Sequence, residues 1–197
     1  MPRKNLTTNP ACEINANDWE GTGGGGRNAV TGFDRNWGYR RTGQTGTVWL
    51  STPKAAAVAG DVCIASVYLK GSASMSGLRT YLIFRNSSGV EISDSGSAFV
   101  DLPTAGTVYR LSRTATAPAN TATFHIEVWL ELPASTDTVD ATAALSELGS
   151  TLGTYADGET SGWVWDGTQY NSTSSELDPA AIADPPAYFR RVTPGRR

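Results

Sequence analysis

The stretch Thr123-Phe-His-Ile-Glu-Val-Trp-Leu-Glu131 alternates apolar and polar residues without a slip. A period of two belongs to a strand with one buried face. Phe124, Ile126, Val128 and Leu130 make the core side. His125, Glu127, Trp129 and Glu131 make a polar and aromatic opposite side. An apolar sheet face needs a second layer to cover it. Residues 78–85 behave alike, with Leu78, Leu82 and Phe84 inward and Arg79, Tyr81 and Arg85 outward. Strand-like stretches also cover 46–51, 61–70, 78–86, 90–94, 98–101, 107–115, 122–131 and 138–145, after a short first strand at 10–14. Asn86-Ser-Ser-Gly89 reads as a hairpin connection. With 21 Gly and 10 Pro as punctuation, the chain favours short strands over long helices. The expected fold is all-β, a jelly-roll β-sandwich with a C-terminal β-hairpin extension and an irregular C-terminal arm.

The chain divides into an N-terminal arm (1–9), the sandwich (10–150), a Trp-rich β extension (151–177) and a basic, Pro-rich arm (178–197). Residues 15–44 read as a long polar loop that holds Gly23 to Gly26 with Trp19, Trp37 and Tyr39. Loops this long are usually functional or packed by their own aromatics. The glycines are followed by neither Lys-Ser/Thr nor a helix, so they are no phosphate loop and point to a flexible or close-packed backbone. In the extension, Asp157-Gly158 and Asp166-Gly167 are turn dipeptides. Tyr155, Trp163, Trp165 and Tyr170 either anchor it to its own sandwich or form an exposed platform.

The formal net charge of −3 hides a division. Residues 5–189 carry 10 bases against 19 acids, and the ends carry six bases: Arg3, Lys4, Arg190, Arg191, Arg196 and Arg197. An acidic body repels a phosphate backbone, which argues against nucleic acid. The basic ends read as docking elements for an acidic partner surface or as solvated tails. Arg190, Arg191, Arg196 and Arg197 with Tyr188 and Phe189 are the docking candidates. No apolar run is long enough for membrane insertion by a helix, and the opening residues have no apolar leader core. Cys12 and Cys63 read as free buried thiols, or as a pair if their strands adjoin. With a single His they make no zinc site.

Asn5-Leu-Thr-Thr-Asn-Pro-Ala-Cys-Glu13 resembles the opening strand of jelly-roll carbohydrate-binding modules, and Val139-Asp140-Ala141 with Leu145-Ser-Glu147 resembles their closing strand. Residues 155–174 are similar to a segment that follows such a jelly roll in minor tail proteins of actinobacterial phages. The resemblance spans about residues 5–176. It implies a virion structural protein, assembled in the host cytoplasm and placed in the tail. Several copies would sit in a symmetric assembly and dock on other virion proteins. A capsid decoration protein and a dedicated glycan-binding receptor module are the alternatives. Departures are Cys12, where the family has Phe, and alanines at 141, 143 and 144. The resemblance also implies a structural calcium on Glu13 and Asp140, against which stands the reading of two surface carboxylates at strand ends.

A sheet face that binds cell-surface polysaccharide needs stacking aromatics beside planar polar groups. Trp129, His125, Glu127, Tyr81, Arg79 and Arg85 supply these, with Trp37 and Tyr39 as walls from the loop. The same residue types also suit an assembly interface. Enzymatic readings fare poorly. The one His, His125, has no nucleophile elbow to serve. Glu127 and Glu131 stand about 13 Å apart along a strand, beyond the roughly 5–9.5 Å of glycosidase carboxylates. The expectation is a non-enzymatic protein.

Overall fold

A computed structural model describes residues 2–22, 25–42, 46–96, 98–132, 134 and 136–178, with backbone alone at 46, 98, 131 and 132. The strands in chain order are β1 (Lys4–Asn5), β2 (Glu20–Gly21), β3 (Gly25–Ala29), β4 (Trp37–Thr42), β5 (Gly46–Ser51), β6 (Ala55–Ala56), β7 (Val62–Gly71) and β8 (Met75–Arg85). They continue as β9 (Glu91–Asp94), β10 (Ala98–Leu102), β11 (Val108–Thr116), β12 (Thr123–Leu132), β13 (Thr138–Leu148), β14 (Trp163–Trp165) and β15 (Ser174–Glu176). None of the described residues is helical. The eight strands expected between 46 and 145 are all present, with ends displaced by at most three residues.

The first sheet runs β10-β8-β12-β5-β2, with β9 also on β8 and β6 also on β12; the second runs β11-β7-β13-β4-β3. Every pairing is antiparallel. The two sheets face each other as a jelly-roll sandwich. Val48, Leu50, Leu78, Leu82, Phe84, Phe124, Ile126, Val128 and Leu130 from the first meet Cys63, Ala65, Val67, Leu69, Leu111, Val139, Ala141 and Ala144 from the second. Each large apolar side chain taken fully out of water contributes about 1.5–3 kcal/mol. The alanines of the second sheet leave room for the bulkier side chains opposite.

Two expectations are corrected. Residues 10–14 are turn and bend rather than a strand. Asn9 and Cys12 sit at φ of 45° and 53°, in the left-handed region that extended strands exclude. The supposed loop 15–44 contains β2 and the antiparallel hairpin of β3 and β4. Its glycine run hides this, because Gly lowers strand propensity. At Gly25 the reason is close packing: a Cβ there would lie 2.4 Å from the Tyr39 ring. Gly23 and Gly24 lie outside the described residues.

The extension and the N-terminal arm fold together. β15 is the middle strand of a third sheet, β1-β15-β14. Arg3 clamps it: its guanidinium pairs with Glu147 of β13 at 2.9 Å and stands 5.2 Å from the centre of the Trp163 ring. Trp163 is buried, while Trp165 is half-buried with Tyr170 against it at 5.6 Å. So the first tryptophan anchors the extension to its own sandwich and the second stays near the surface. Cys12 and Cys63 are free, buried thiols. Burial pushes Cys63 up to about 12 and Cys12 higher still.

Candidate functional site

The outer face of the first sheet is built by alternation. Burying Val48 and Leu50 turns Thr47 and Trp49 outward; burying Leu78 and Leu82 turns Arg79 and Tyr81 outward. Strand register then lines these residues up. Trp49 of β5 stands opposite Trp129 of β12, Trp129 opposite Arg79 of β8, and Arg79 opposite Phe99 of β10. Neighbouring strands lie about 4.8 Å apart, so this row spans roughly 14 Å. Phe99 is 68% exposed and Trp129 38% exposed, and the Arg79 guanidinium stands 5.3 Å from the Phe99 ring centre.

Beside the row, Tyr81 meets Trp129 edge to face, with ring centres 6.4 Å apart. The two rings, with Arg79, Glu91, Asp94 and Glu127, border a depression of about 250 Å³. Across the row, Thr47, Gly77, Arg79 and Trp129 border a second one of similar size. Glu127 is buried to 8% exposure, and its Oε1 accepts the indole N–H of Trp129 at 2.5 Å. That bond fixes the tilt of the Trp129 ring. His125 Nε2 lies 3.9 Å from Glu127 Oε2, and neither imidazole nitrogen makes a hydrogen bond.

Of the expected glycan-binding residues, Trp129, Tyr81, Arg79 and Glu127 gather around this depression. His125 is in the same sheet but beneath its surface, 1% exposed. Arg85 stands at the far end of β8, where it donates to the Gly89 carbonyl. Trp37 and Tyr39 do not wall this face. They lie on β4 in the second sheet, where Tyr39 stacks on Trp19 at 5.9 Å and Arg27 covers Trp37 at 3.2 Å. The cause is the β3–β4 hairpin, which carries them to the other layer. Trp49, Phe99, Glu91 and Asp94 are the residues that sequence reasoning missed. Alternation alone marks Trp49 as outward; the other three needed the pairing of β8 with β9 and β10.

Glu13 and Asp140, the residues expected to hold calcium, both lie beside arginines. Both Asp140 oxygens accept from Arg40, at 2.6 and 2.8 Å. Glu13 has its carboxyl raised by burial, against the pull of Arg35 and Arg27. Among the described residues no three His, Cys, Asp or Glu side chains gather to hold a metal. The expected docking residues Tyr188, Phe189, Arg190, Arg191, Arg196 and Arg197 lie outside the described residues.

No protein-family model and no curated protein matches the chain by sequence. Solved structures do match its fold. The enzymatically active domain of bacteriophage CBA120 tailspike protein 4 aligns with a TM-score of 0.56 and 13% identity, over 74% of this chain and 21% of that one. The CBM22-1 xylan-binding domain from Paenibacillus barcinonensis Xyn10C aligns at 0.52 and 14% identity, over 74% and 94%. TmCBM61, solved with β-1,4-galactotriose, aligns at 0.51 and 15% identity, over 74% and 99%. The chain thus spans about a fifth of the tailspike chain and nearly the full length of the two binding modules. At such identities the likeness is one of fold: the jelly-roll sandwich of carbohydrate-binding modules.

Proposed function

We propose that the chain is a non-enzymatic glycan-binding protein of a phage virion and that the outer face of its first sheet is the binding surface. The observation that carries the reading is the solvent-facing row Trp49, Trp129, Arg79 and Phe99, with Glu127 fixing the central indole. Flat rings offer the C–H faces of a sugar a stacking surface, and the carboxylates and guanidinium beside them reach its hydroxyls. A fold shared with carbohydrate-binding modules supports this. The tail position rests on the resemblance of residues 155–174 to phage minor tail proteins, and the fold shared with a phage tailspike domain agrees with it. In the virion, several copies would present this face outward to polysaccharide on the host surface.

Binding of fluorescently labelled protein to actinobacterial cells, with purified wall polysaccharide as competitor, tests the reading. Saturable binding that the competitor abolishes and Trp129→Ala lowers by about two- to tenfold is the expected result, since a stacked ring contributes about 0.5–1.5 kcal/mol beyond its buried area. Binding that survives Trp129→Ala removes this face from the function. An assembly interface is the second reading, favoured by Phe99: so exposed an aromatic beside Arg79 also suits a protein partner. In that case the variant lowers virion incorporation and leaves cell binding alone.

A further inference from the structure

We infer that the chain has a second sugar site on its other sheet: a hollow between β7, the bulge of β13 and the C-terminal extension, which takes one uncharged pyranose residue of a glycan. It goes beyond the first-sheet reading and shares with it only the class of ligand.

The hollow measures about 280 Å³ and lies on the outer side of the second sheet. Burying Val67 and Leu69 turns Tyr68 of β7 outward. Beside Tyr68, β13 breaks register between Thr142 and Leu145, and Ala143 stands at φ of 53° in the left-handed region. A bulge bends its strand and re-aims side chains. Here it brings the small side chain of Ala143 to the hollow, where a larger one would fill the space. Phe33 and Asp34 reach it from the β3–β4 connection, and Thr154 and Tyr155 from the extension.

These two segments are fastened to each other and to the sheet. Arg35 meets Asp157 at 2.5 Å, and Asp157 also accepts the Tyr155 hydroxyl at 2.6 Å. Lys70 of β7 donates to the carbonyl and the hydroxyl of Thr31, and it stands 5.5 Å from the centre of the Phe33 ring. The opening thus exists before a ligand arrives, which spares the ligand the cost of ordering it.

The lining selects the ligand. Phe33, Tyr68 and Tyr155 supply three rings, and beside them the Asp34 carboxylate and the hydroxyls of Tyr68 and Thr154 have no hydrogen-bond partner among the described residues. A pyranose fits both parts: its C–H faces lie on rings, and its hydroxyls donate and accept. An apolar side chain from a protein partner would leave the three polar groups unpaired. A carboxylate or phosphate would meet Asp34 and find no free cation, because Lys70 is held by Thr31, Arg110 by Ser66 and Arg35 by Asp157. An ammonium would meet those same cations, which stand 5.3–5.5 Å from the three ring centres. An uncharged sugar avoids both conflicts. Sites for drug-sized ligands begin at roughly 300 Å³, so this hollow has room for a single ring.

The test is a heteronuclear NMR titration of the whole chain with neutral oligosaccharides cut from purified actinobacterial wall polysaccharide. Two separate groups of shifted amides are expected, one around Phe33, Tyr68, Ala143 and Thr154 and one around Trp129 on the first sheet. Tyr68→Ala should weaken binding at the hollow about two- to tenfold and leave the Trp129 group unchanged. Thr154→Trp blocks the hollow from an exposed position whose side chain has no partner, and it serves even where Tyr68→Ala does not fold; it should abolish the shifts at the hollow. Shifts at the hollow with none around Trp129 would support this site and overturn the first-sheet reading. Shifts around Trp129 alone would overturn this site and leave that reading standing. Shifts at the hollow that persist unchanged in Thr154→Trp would overturn it as well. So would the absence of shifts at both places, and the cell-binding assay then decides the first-sheet reading.

Discussion

Replacing Asn5 by alanine tests how the N-terminal arm is tied to the sandwich. Asn5 is fully buried, and its amide makes four hydrogen bonds. Its Nδ2 donates to the carbonyls of Ala144 and Ala156, each at 3.1 Å. Its Oδ1 accepts from the N–H of Thr7 at 3.0 Å and of Ser146 at 3.2 Å. One side chain thus joins β1, the irregular middle of β13 and the extension. Alanine leaves four backbone groups without these partners. At about 1 kcal/mol net for each bond the loss is about 4 kcal/mol. For a chain of this size 1 kcal/mol moves Tm by about 2–4 °C, so Tm should fall by about 8–16 °C in a circular dichroism melt. Thr7→Val is the contrast. Thr7 is equally buried, but its hydroxyl has no partner, so removing that oxygen breaks no bond and Tm should hold or rise. An Asn5→Ala protein melting within about 3 °C of the parent would refute the reasoning. So would equal losses in both variants.

Arg35→Met leaves the buried carboxylate of Asp157, 2% exposed, without the guanidinium that meets it at 2.5 Å; a loss of about 3–5 kcal/mol in urea unfolding is expected. Cys63 and Cys12 hold their protons in the folded state far above the ordinary value of 9.0, whereas the unfolded chain releases them near it. The folded state therefore binds more protons, and stability should fall as pH rises through about 9 to 12, by about 1.4 kcal/mol per pH unit for each thiol. Urea midpoints across that range should flatten in the Cys12→Ala/Cys63→Ala variant; an unchanged slope would count against it. At Gly158 an added Cβ would lie 2.3 Å from the Trp165 ring. Gly158→Ala should shift that indole off Tyr170, altering near-ultraviolet dichroism at a cost of about 1 kcal/mol.

The sandwich was legible because its strands announce themselves one at a time. Alternation in β12 and β8 is a local signal, and the residues it sent inward are the buried ones. Two things were not local. The β3–β4 hairpin is built on Gly25 and Gly26, residues that read as loop, and its pairing with β13 is visible only once the second sheet exists. The site was half legible for the same reason. Trp129, Tyr81, Arg79 and Glu127 follow from alternation on two strands. That Phe99, Glu91 and Asp94 join them depends on β9 and β10 both pairing with β8. His125 shows the opposite failure. Alternation sends it to the outer face, and that face is covered at its position.

The fold also sorts charge between the two sheets. In sequence order acidic and basic strands are interleaved: β7 and β11 are basic, β9, β10 and β12 acidic. The topology separates them, so a net charge of −3 is a poor guide to either surface. The acidic strands of the first sheet repel a phosphate backbone. On the second sheet most bases are held by the chain itself. There Arg40 is held by Asp140, Arg27 by the carbonyls of Cys12 and Glu13, Arg110 by the Ser66 hydroxyl, and Arg113 by Ser95 and Gly96. These guanidiniums serve the chain's own loops and strands.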